Sequence, residues 1–297
     1  MCTLLLPNRI TTSIEGYNYL SNLFYEIDDL AQKHETIHID FSQCIQFDGN
    51  LCAAMGAIFD SFYTKTKIMI HLPKERSVRR VLSRNQFLRA WKVDTKVQER
   101  ENYVKYSKFK RTDEEGFKQY IDKELIAKQL FPAHTKDVGD NLVESIYEIY
   151  ANAMMHGETE YVYSCGEYKE SDKTFEMAIV DLGRTIATNV NTYLYRKEQL
   201  PPRSDCDAIL WAFVKGNTTK ENPGGLGLSL LQEFVKLNEG SLHMVSASGF
   251  IEYSNNQFRS HPLDKQFPGT IVNIKFNFND PKNYWMSSEK PDLNNLL

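Results

Sequence analysis

Alternation of apolar and polar residues defines the first predicted elements of the chain. Residues 37–41 (Ile-His-Ile-Asp-Phe) and 67–72 predict two strands, because successive side chains of a strand point to opposite faces. Residues 51–62 are rich in alanine and predict a closely packed helix, and residues 77–88 predict a second helix with its apolar residues on one side. This order of strand, helix, strand and helix predicts a small α/β domain over residues 1–95.

The second half of the chain also mixes the two periodicities. Helices and strands are thus predicted in both halves, and the predicted fold class of the whole chain is α/β. The helices predicted in the second half cover residues 112–130, 141–156, 206–214 and 228–237, and the strands cover residues 161–164, 175–180, 241–246 and 271–278.

A basic segment lies between the two halves of the chain. Residues 74–111 hold thirteen Lys or Arg against four Asp or Glu, with aromatic residues between them. Binding of nucleic-acid phosphates is one interpretation. We favour the other, a solvated helix face followed by a linker, because the net charge of the chain is −4. Residues 96–134 are accordingly predicted to be a basic helical linker, and residues 280–297 a polar tail.

The composition indicates the class of the protein and the compartment in which we expect it. Hydrophobic residues make up 41% of the chain and charged residues 25%, as in globular proteins. The five cysteines form no Cys-x-x-Cys pair, which predicts free thiols in a reducing compartment. No apolar run has the length of a membrane helix and no signal pattern opens the chain, so we expect a cytoplasmic protein without a membrane partner.

Three short motifs follow one another in the second half. Glu148 and Asn152 stand four residues apart in a helical run that continues to His156, so they share one helix face. Asp181-Leu182-Gly183 ends a strand-like run. Residues 224–228 (Gly-Gly-Leu-Gly-Leu) lead into another helix, where backbone N–H groups can bind phosphate. Together the motifs predict a nucleotide site.

In this order the motifs resemble the N, G1 and G2 boxes of the GHKL superfamily, whose Bergerat-fold ATPase module occurs in gyrase, Hsp90, MutL, histidine kinases and anti-sigma-factor kinases. Residues 215–220 resemble the approach to the ATP lid of histidine kinases. Pro268-Gly269-Thr270 resembles the final Gly-Thr element of the family. The resemblance covers residues 135–279. It implies that these residues form a second domain, an α+β sandwich, which binds ATP with Mg²⁺.

The resemblance also implies roles for single residues. It makes Glu148 the general base that activates the attacking water, and it makes Asp181 the acceptor of a hydrogen bond from the adenine amino group. Asn152 is the predicted magnesium ligand, since Mg²⁺ prefers oxygen ligands and takes few from the protein. The remaining predicted contacts are His156 and Lys220 to phosphate, Gly183 to the adenine ring, Thr270 to adenine through water, and Gly224, Gly225 and Gly227 to the phosphates.

Alternatives remain for several of these residues. Glu148 is otherwise a surface glutamate of the helix, like Glu144 one turn earlier. His156 is otherwise a histidine at a helix end, and Lys220 a solvated lysine. Asp181 is otherwise an ordinary turn aspartate that follows a strand.

The first domain resembles the STAS fold of anti-sigma-factor antagonists, in which a strand leads through a short loop into a helix. The loop of that family often carries Asp-Ser-Ser-Gly with a phosphorylated serine. Here residues 47–51 read Phe-Asp-Gly-Asn-Leu and contain no serine. We therefore expect a structural or partner-docking role, without regulation by phosphorylation in this loop.

The predicted function is hydrolysis of ATP that switches a regulatory interaction with a protein partner, and the family's habit suggests a homodimer. One alternative is a serine kinase similar to the anti-sigma-factor kinases, and another is a binding module without catalysis. A histidine autokinase is less favoured, because His134, the histidine between the first domain and the first motif, is too close to the helix of that motif.

Overall fold

The computed structural model describes residues 2–93, 101–219 and 227–285, and it shows an α/β protein. Its strands are β1 (Cys2–Leu5), β2 (Arg9–Ile10), β3 (Thr36–Asp40), β4 (Gln46–Phe47), β5 (Lys67–His71), β6 (Tyr103–Lys110), β7 (Tyr161–Lys169), β8 (Thr174–Asp181), β9 (Ser241–Ser254) and β10 (Gln257–Asn277). Its helices are α1 (Ile14–Ala31), α2 (Cys52–Ser61), α3 (Arg76–Arg84), α4 (Phe87–Ala90), α5 (Glu114–Ile121), α6 (Lys136–His156), α7 (Ile186–Glu198), α8 (Asp205–Phe213) and α9 (Gly227–Leu237).

Residues 2–93 form an N-terminal unit around a parallel sheet of three strands in the order β1-β3-β5. Ile37 and Ile39 of β3 point into its core and alternate with half-exposed neighbours. The predicted strands and the helix α2 are confirmed. The single helix predicted at 77–88 is wrong, because Gln86 has a left-handed backbone (φ 63°) that separates α3 from α4. Helix α1 was not predicted.

The second sheet contains five antiparallel strands in the order β6-β7-β8-β10-β9. Strand β8 is buried along its whole length, and its side chains alternate between two cores. Met177 and Ile179 pack with α6 and α9 on what we call the helix face. Ala178 and Val180 pack with the N-terminal unit on the opposite side, the N-terminal face. The sheet is therefore the middle layer of the molecule.

The N-terminal unit is joined to this sheet by a common hydrophobic core and by polar contacts. The hydroxyl of Tyr163 donates to Asp60 Oδ2 at 2.6 Å, and Lys169 Nζ lies 2.9 Å from Asp48 Oδ1. Asn50 Nδ2 donates to Asn273 Oδ1 at 2.6 Å. Asp48 and Asn50 belong to the loop compared above with the phosphorylated loop of STAS domains, so this loop lies against the sheet.

The predicted helical linker at 96–134 is corrected by the described residues from 101 onwards. Tyr103–Lys110 is strand β6, which pairs antiparallel with β7 at the edge of the five-stranded sheet. Helix α5 follows and packs into the core, where the ring of Phe117 stacks on Tyr150 with 4.0 Å between ring centroids. Val104 and Tyr106 are buried in different cores, and a register shift between Val104 and Ser107 interrupts the two-residue period of the strand, so the basic composition concealed it.

Residues 280–285 were predicted to belong to a polar tail, but part of this segment packs against the protein. Tyr284 is buried, forms a bridge with His134, and donates its hydroxyl to Asp280 Oδ2 at 2.5 Å. Residues 286–297 lie outside the described part of the chain. Among the described helices, none combines the length and the hydropathy that a membrane crossing requires.

Candidate functional site

A cavity of about 160 Å³ opens on the helix face of the five-stranded sheet. Its floor includes Ile179, Met244 and Val272, and its walls come from α6 and from residues near α7, α8 and α9. The apolar floor suits a flat ring, and polar groups lie at the rim. Five of the predicted site residues line it, namely Glu148, Asn152, His156, Asp181 and Thr270.

Helix α6 supplies the first three of these residues. Glu148, Asn152 and His156 follow one another at intervals of four residues and therefore lie along one side of the helix. Ile146 and Tyr150, on other sides of α6, are fully buried in the core and fix the orientation of the helix. The backbone carbonyl of His156 accepts a hydrogen bond from Asn189 Nδ2 at 3.0 Å, which joins the end of α6 to α7.

Asp181 is the last residue of β8 and lies at the bottom of the cavity. Its side chain is buried, and among the described residues Oδ1 has no hydrogen-bond partner. Burial raises the pKa of this carboxyl from 3.8 to about 8, against the effect of a hydrogen bond from the backbone of Gly183. A buried acceptor without a donor is costly, so this oxygen is suited to a ligand that brings an N–H group.

Two glycines, Gly157 and Gly183, keep the space around the Asp181 carboxyl open. A Cβ atom on Gly183 would lie 2.0 Å from the carbonyl oxygen of Gly157, and a Cβ atom on Gly157 would lie 2.9 Å from Asp181 Oδ1. On the neighbouring strand β10, Thr270 is the direct partner of Asp181. Its hydroxyl is 3.0 Å from that of Ser246, so Thr270 is held beside the carboxyl at the floor of the cavity.

Glu148 is held by the start of α9. The backbone N–H of Gly227 donates to Glu148 Oε2 at 2.5 Å. A Cβ atom on Gly227 would lie 2.2 Å from the same oxygen, so glycine is required for this approach. Thr218, Thr219 and Leu228 line the cavity on this side. The predicted contacts Lys220, Gly224 and Gly225 lie outside the described residues.

The structure adds site residues that the sequence did not reveal. Arg184 lines the cavity, and its Nη1 lies 2.9 Å from Glu158 Oε1 at the rim. Asn189 and Trp211 belong to α7 and α8, and Asn217 donates to the carbonyl of Trp211 at 2.9 Å. Arg184 follows directly after Asp181-Leu182-Gly183 and was open to prediction from that position. Asn189 and Trp211 reach the cavity only through the packing of their helices.

The cavity contains oxygen donors of the kind that magnesium prefers. Asn152 offers a side-chain carbonyl on the same face as the Glu148 carboxylate. Within the described ranges, no three His, Cys, Asp or Glu side chains form a cluster that could hold a metal ion. Such a donor set fits Mg²⁺, which takes few protein ligands and keeps water and phosphate oxygens around it.

Several aromatic residues of the basic segment are core residues. Phe87 and Tyr106 are buried, and Trp91 packs against the same core. The ring of Tyr103 lies beneath the guanidinium of Arg84 at 5.8 Å. Stacking of nucleic-acid bases needs exposed rings, which the buried Phe87 and Tyr106 do not offer, whereas Trp91 and Tyr103 are half-exposed.

Comparison with other proteins gives no match for this chain, either among the models of known protein families or among the curated proteins. The chemistry of the cavity must therefore be argued from its own residues. Those residues combine a buried acceptor, a carboxylate, a carboxamide oxygen and a helix N-terminus around one space.

Proposed function

We propose that this protein binds ATP together with Mg²⁺ on the helix face of its five-stranded sheet and hydrolyses it, as a GHKL-type ATPase. The observation that carries the proposal is the buried Oδ1 of Asp181, which has no partner in the described part of the chain and lies in a cavity that Glu148 and Asn152 also line. This combination matches a ligand that is an amine-bearing flat ring at one end and a polyanion at the other.

The adenine end is proposed for the floor of the cavity. The exocyclic amino group of adenine is an N–H donor, and it meets the need of Asp181 Oδ1 for one. Thr270 stands beside Asp181 and offers a hydroxyl to the same ring or to a water between them. The apolar side chains of Ile179 and Val272 then contact the ring faces.

The phosphate end is proposed for the side between α6 and α9. The N-terminus of α9 at Gly227 carries backbone N–H groups and the positive end of the helix dipole, which favour phosphate. Glu148 lies at this helix start and can orient and deprotonate a water that attacks the terminal phosphate. Asn152 would hold Mg²⁺ through its side-chain oxygen. The ion, when bound, neutralises phosphate charge.

The position of the cavity relative to the N-terminal unit favours hydrolysis of ATP over phosphorylation of that unit. That unit packs on the N-terminal face, whereas the cavity opens on the helix face, so the sheet separates its loops from the nucleotide. Strand β8 connects the two sides, because Glu176 points to the N-terminal face and Asp181 ends the same strand in the cavity. We therefore propose that the N-terminal unit transmits the nucleotide state to a protein partner.

The test follows the γ-phosphate of labelled Mg-ATP in the wild type, Glu148→Gln and Asp181→Asn. The expected result is free phosphate from the wild type, a loss of about 10²-fold or more in Glu148→Gln with binding retained, and no nucleotide binding in Asp181→Asn. Glu144→Gln is the matched control, because Glu144 is exposed one turn earlier on α6.

Other outcomes change the assignment. Label retained on the protein or on an added protein substrate would make it a kinase. Binding without turnover would make it a nucleotide-dependent binding module. Equal nucleotide affinity in the wild type and Asp181→Asn would overturn the nucleotide site itself.

A further inference from the structure

A second cavity, of about 360 Å³, lies on the other face of the sheet from the proposed nucleotide site. It is formed where Thr12, just before α1, meets strands β8, β9 and β10. Every residue that lines it within the described ranges is polar or glycine. A wall of this kind selects a ligand that is polar over its whole surface.

Two buried atoms in this wall lack a hydrogen-bond partner among the described residues, namely Oε2 of Glu176 and Nδ2 of Asn273. Each residue uses only its other polar atom within the protein. Oε1 of Glu176 lies 3.2 Å from Lys275 Nζ, and Oδ1 of Asn273 accepts from Asn50 Nδ2 at 2.6 Å. Leaving a buried donor and a buried acceptor unsatisfied is costly, so both atoms require an occupant of the cavity.

The two atoms have opposite needs. Glu176 Oε2 is a carboxylate oxygen and requires a donor, whereas the amide nitrogen of Asn273 is a donor and requires an acceptor. Glu176 pairs with Lys275 across β8 and β10, so Asn273 is its diagonal neighbour on the same face. The backbones of diagonal neighbours are about 7–8 Å apart, so the two side chains lie close enough for one small molecule with a donor and an acceptor to reach both.

The charges of the wall select a ligand that carries both signs. Three acids, Glu176, Glu239 and Glu252, line the same space as the two bases Lys275 and Arg259. Burial lowers the pKa of His243, which disfavours a positive charge on this ring. Because both signs occur in this wall, a zwitterion can place its ammonium group near an acid and its carboxylate away from the acids, which a ligand of a single sign cannot do.

We propose that this cavity binds a small polar α-amino acid as a zwitterion, with its ammonium group on Glu176 and its carboxylate on Asn273. The ligand contacts the N-terminal unit as well as the sheet, because Thr12 lines the cavity and its hydroxyl accepts from Asn50 at 3.0 Å. Bound amino acid thus strengthens the contact between the two parts. The proposal is independent of the nucleotide site.

Titration calorimetry of the full chain tests the proposal, with glycine, serine, aspartate and glutamine as polar probes and leucine and phenylalanine as apolar ones. We expect at least one polar probe to bind below about 1 mM, and the apolar probes to bind at least about tenfold more weakly. N-acetylserine should not bind, because its nitrogen carries no charge. This comparison uses only the wild-type protein, so it does not depend on how a variant folds.

Glu176→Gln keeps the shape of the side chain and should weaken binding by about tenfold or more, since it removes the charge that pairs with ammonium. Glu124→Gln is the matched control, because Glu124 is also buried and paired with a lysine but lies outside the cavity. It should bind like the wild type. Absence of binding by every polar probe up to about 10 mM would show that the cavity holds only water. Equal binding by N-acetylserine would show that the ammonium group is not recognised, and either result overturns the proposal.

Discussion

The backbone N–H of Gly227 donates a hydrogen bond to the carboxylate of Glu148, with 2.5 Å between Gly227 N and Glu148 Oε2. Under the proposed function these are the phosphate-binding amide and the general base. A phosphate oxygen that takes the Gly227 N–H must displace Glu148 Oε2, and the freed carboxylate is then available to a water. The contact therefore couples arrival of the phosphate to release of the base.

Gly227→Ala should reduce ATP turnover by about 10²-fold in kcat/KM. The new Cβ would lie 2.2 Å from Glu148 Oε2, so the carboxylate must move away from the start of α9, and small displacements of reacting groups are costly. Phosphate release under single-turnover conditions measures the effect. Leu237→Ala, at the exposed end of the same helix, should stay within about twofold of the wild type. Normal turnover by Gly227→Ala would contradict the role of this contact.

Asp181→Asn should stabilise the protein without ligand, and more so at high pH. The folded-state pKa of Asp181 is raised from 3.8 to about 8, so the folded protein holds more protons than the unfolded one between these values. The free energy of unfolding of the wild type therefore falls as pH rises through this window. Asparagine cannot ionise, so we expect a gain of about 2 to 5 kcal/mol at pH 8 and a smaller gain at pH 5.

Urea denaturation of both proteins at the two pH values measures this difference. Glu144→Gln should show no such pH-dependent gain, because Glu144 is exposed. A wild-type stability that rises between pH 5 and pH 8 relative to Asp181→Asn would contradict the raised pKa.

Binding of adenosine should release protons at pH 7. With a pKa of about 8, Asp181 is mostly protonated there, and a donor from the base favours the ionised carboxylate. Adenosine is the suitable ligand because it has no phosphate group that titrates. Calorimetry in two buffers with different ionisation enthalpies measures the number of protons released. We expect about one proton per bound adenosine at pH 7 and almost none at pH 9. Identical heats in the two buffers at pH 7 would exclude ionisation of Asp181 on binding.

Lys169→Met should weaken the attachment of the N-terminal unit to the sheet. Burial alone would lower the pKa of Lys169, but Glu176, Asp48 and Glu167 together raise it, so the lysine is charged and compensates these carboxylates. In the variant the three carboxylates lose their buried cation, which lowers the free energy of unfolding by about 3–5 kcal/mol.

The loss should grow with pH. Burial raises the pKa of Glu167 to about 7 even with Lys169 present, so in the variant this carboxyl takes up a proton at pH 5 and is charged only at higher pH. Chemical denaturation at pH 5 and pH 8 measures the trend. Lys65→Met, which removes an exposed pair with Asp28, should cost less than about 1 kcal/mol at either pH. An equal loss from both variants would contradict the importance of the buried network.

Local patterns were sufficient for the elements with a clear period. Helix α6 and the paired strands β7 and β8 follow from apolar spacing alone, and so does the common side of Glu148 and Asn152 on α6. Strand β6 was missed, because a register shift after Val104 interrupts its two-residue period and its lysines resemble a basic linker until β7 is there to pair with it. Helices α1 and α7 were missed as well.

The sequence by itself determined the α/β class, the helix that carries Glu148 and Asn152, and the glycines next to Asp181, because each depends on neighbours within a few residues. Only the tertiary structure decided that Gly227 meets Glu148 and that Oδ1 of Asp181 is buried with no hydrogen-bond partner among the described residues. It alone also placed Asp48 and Asn50 against the sheet. These contacts join residues far apart in the chain, and their distances and burial depend on how the layers pack rather than on local spacing.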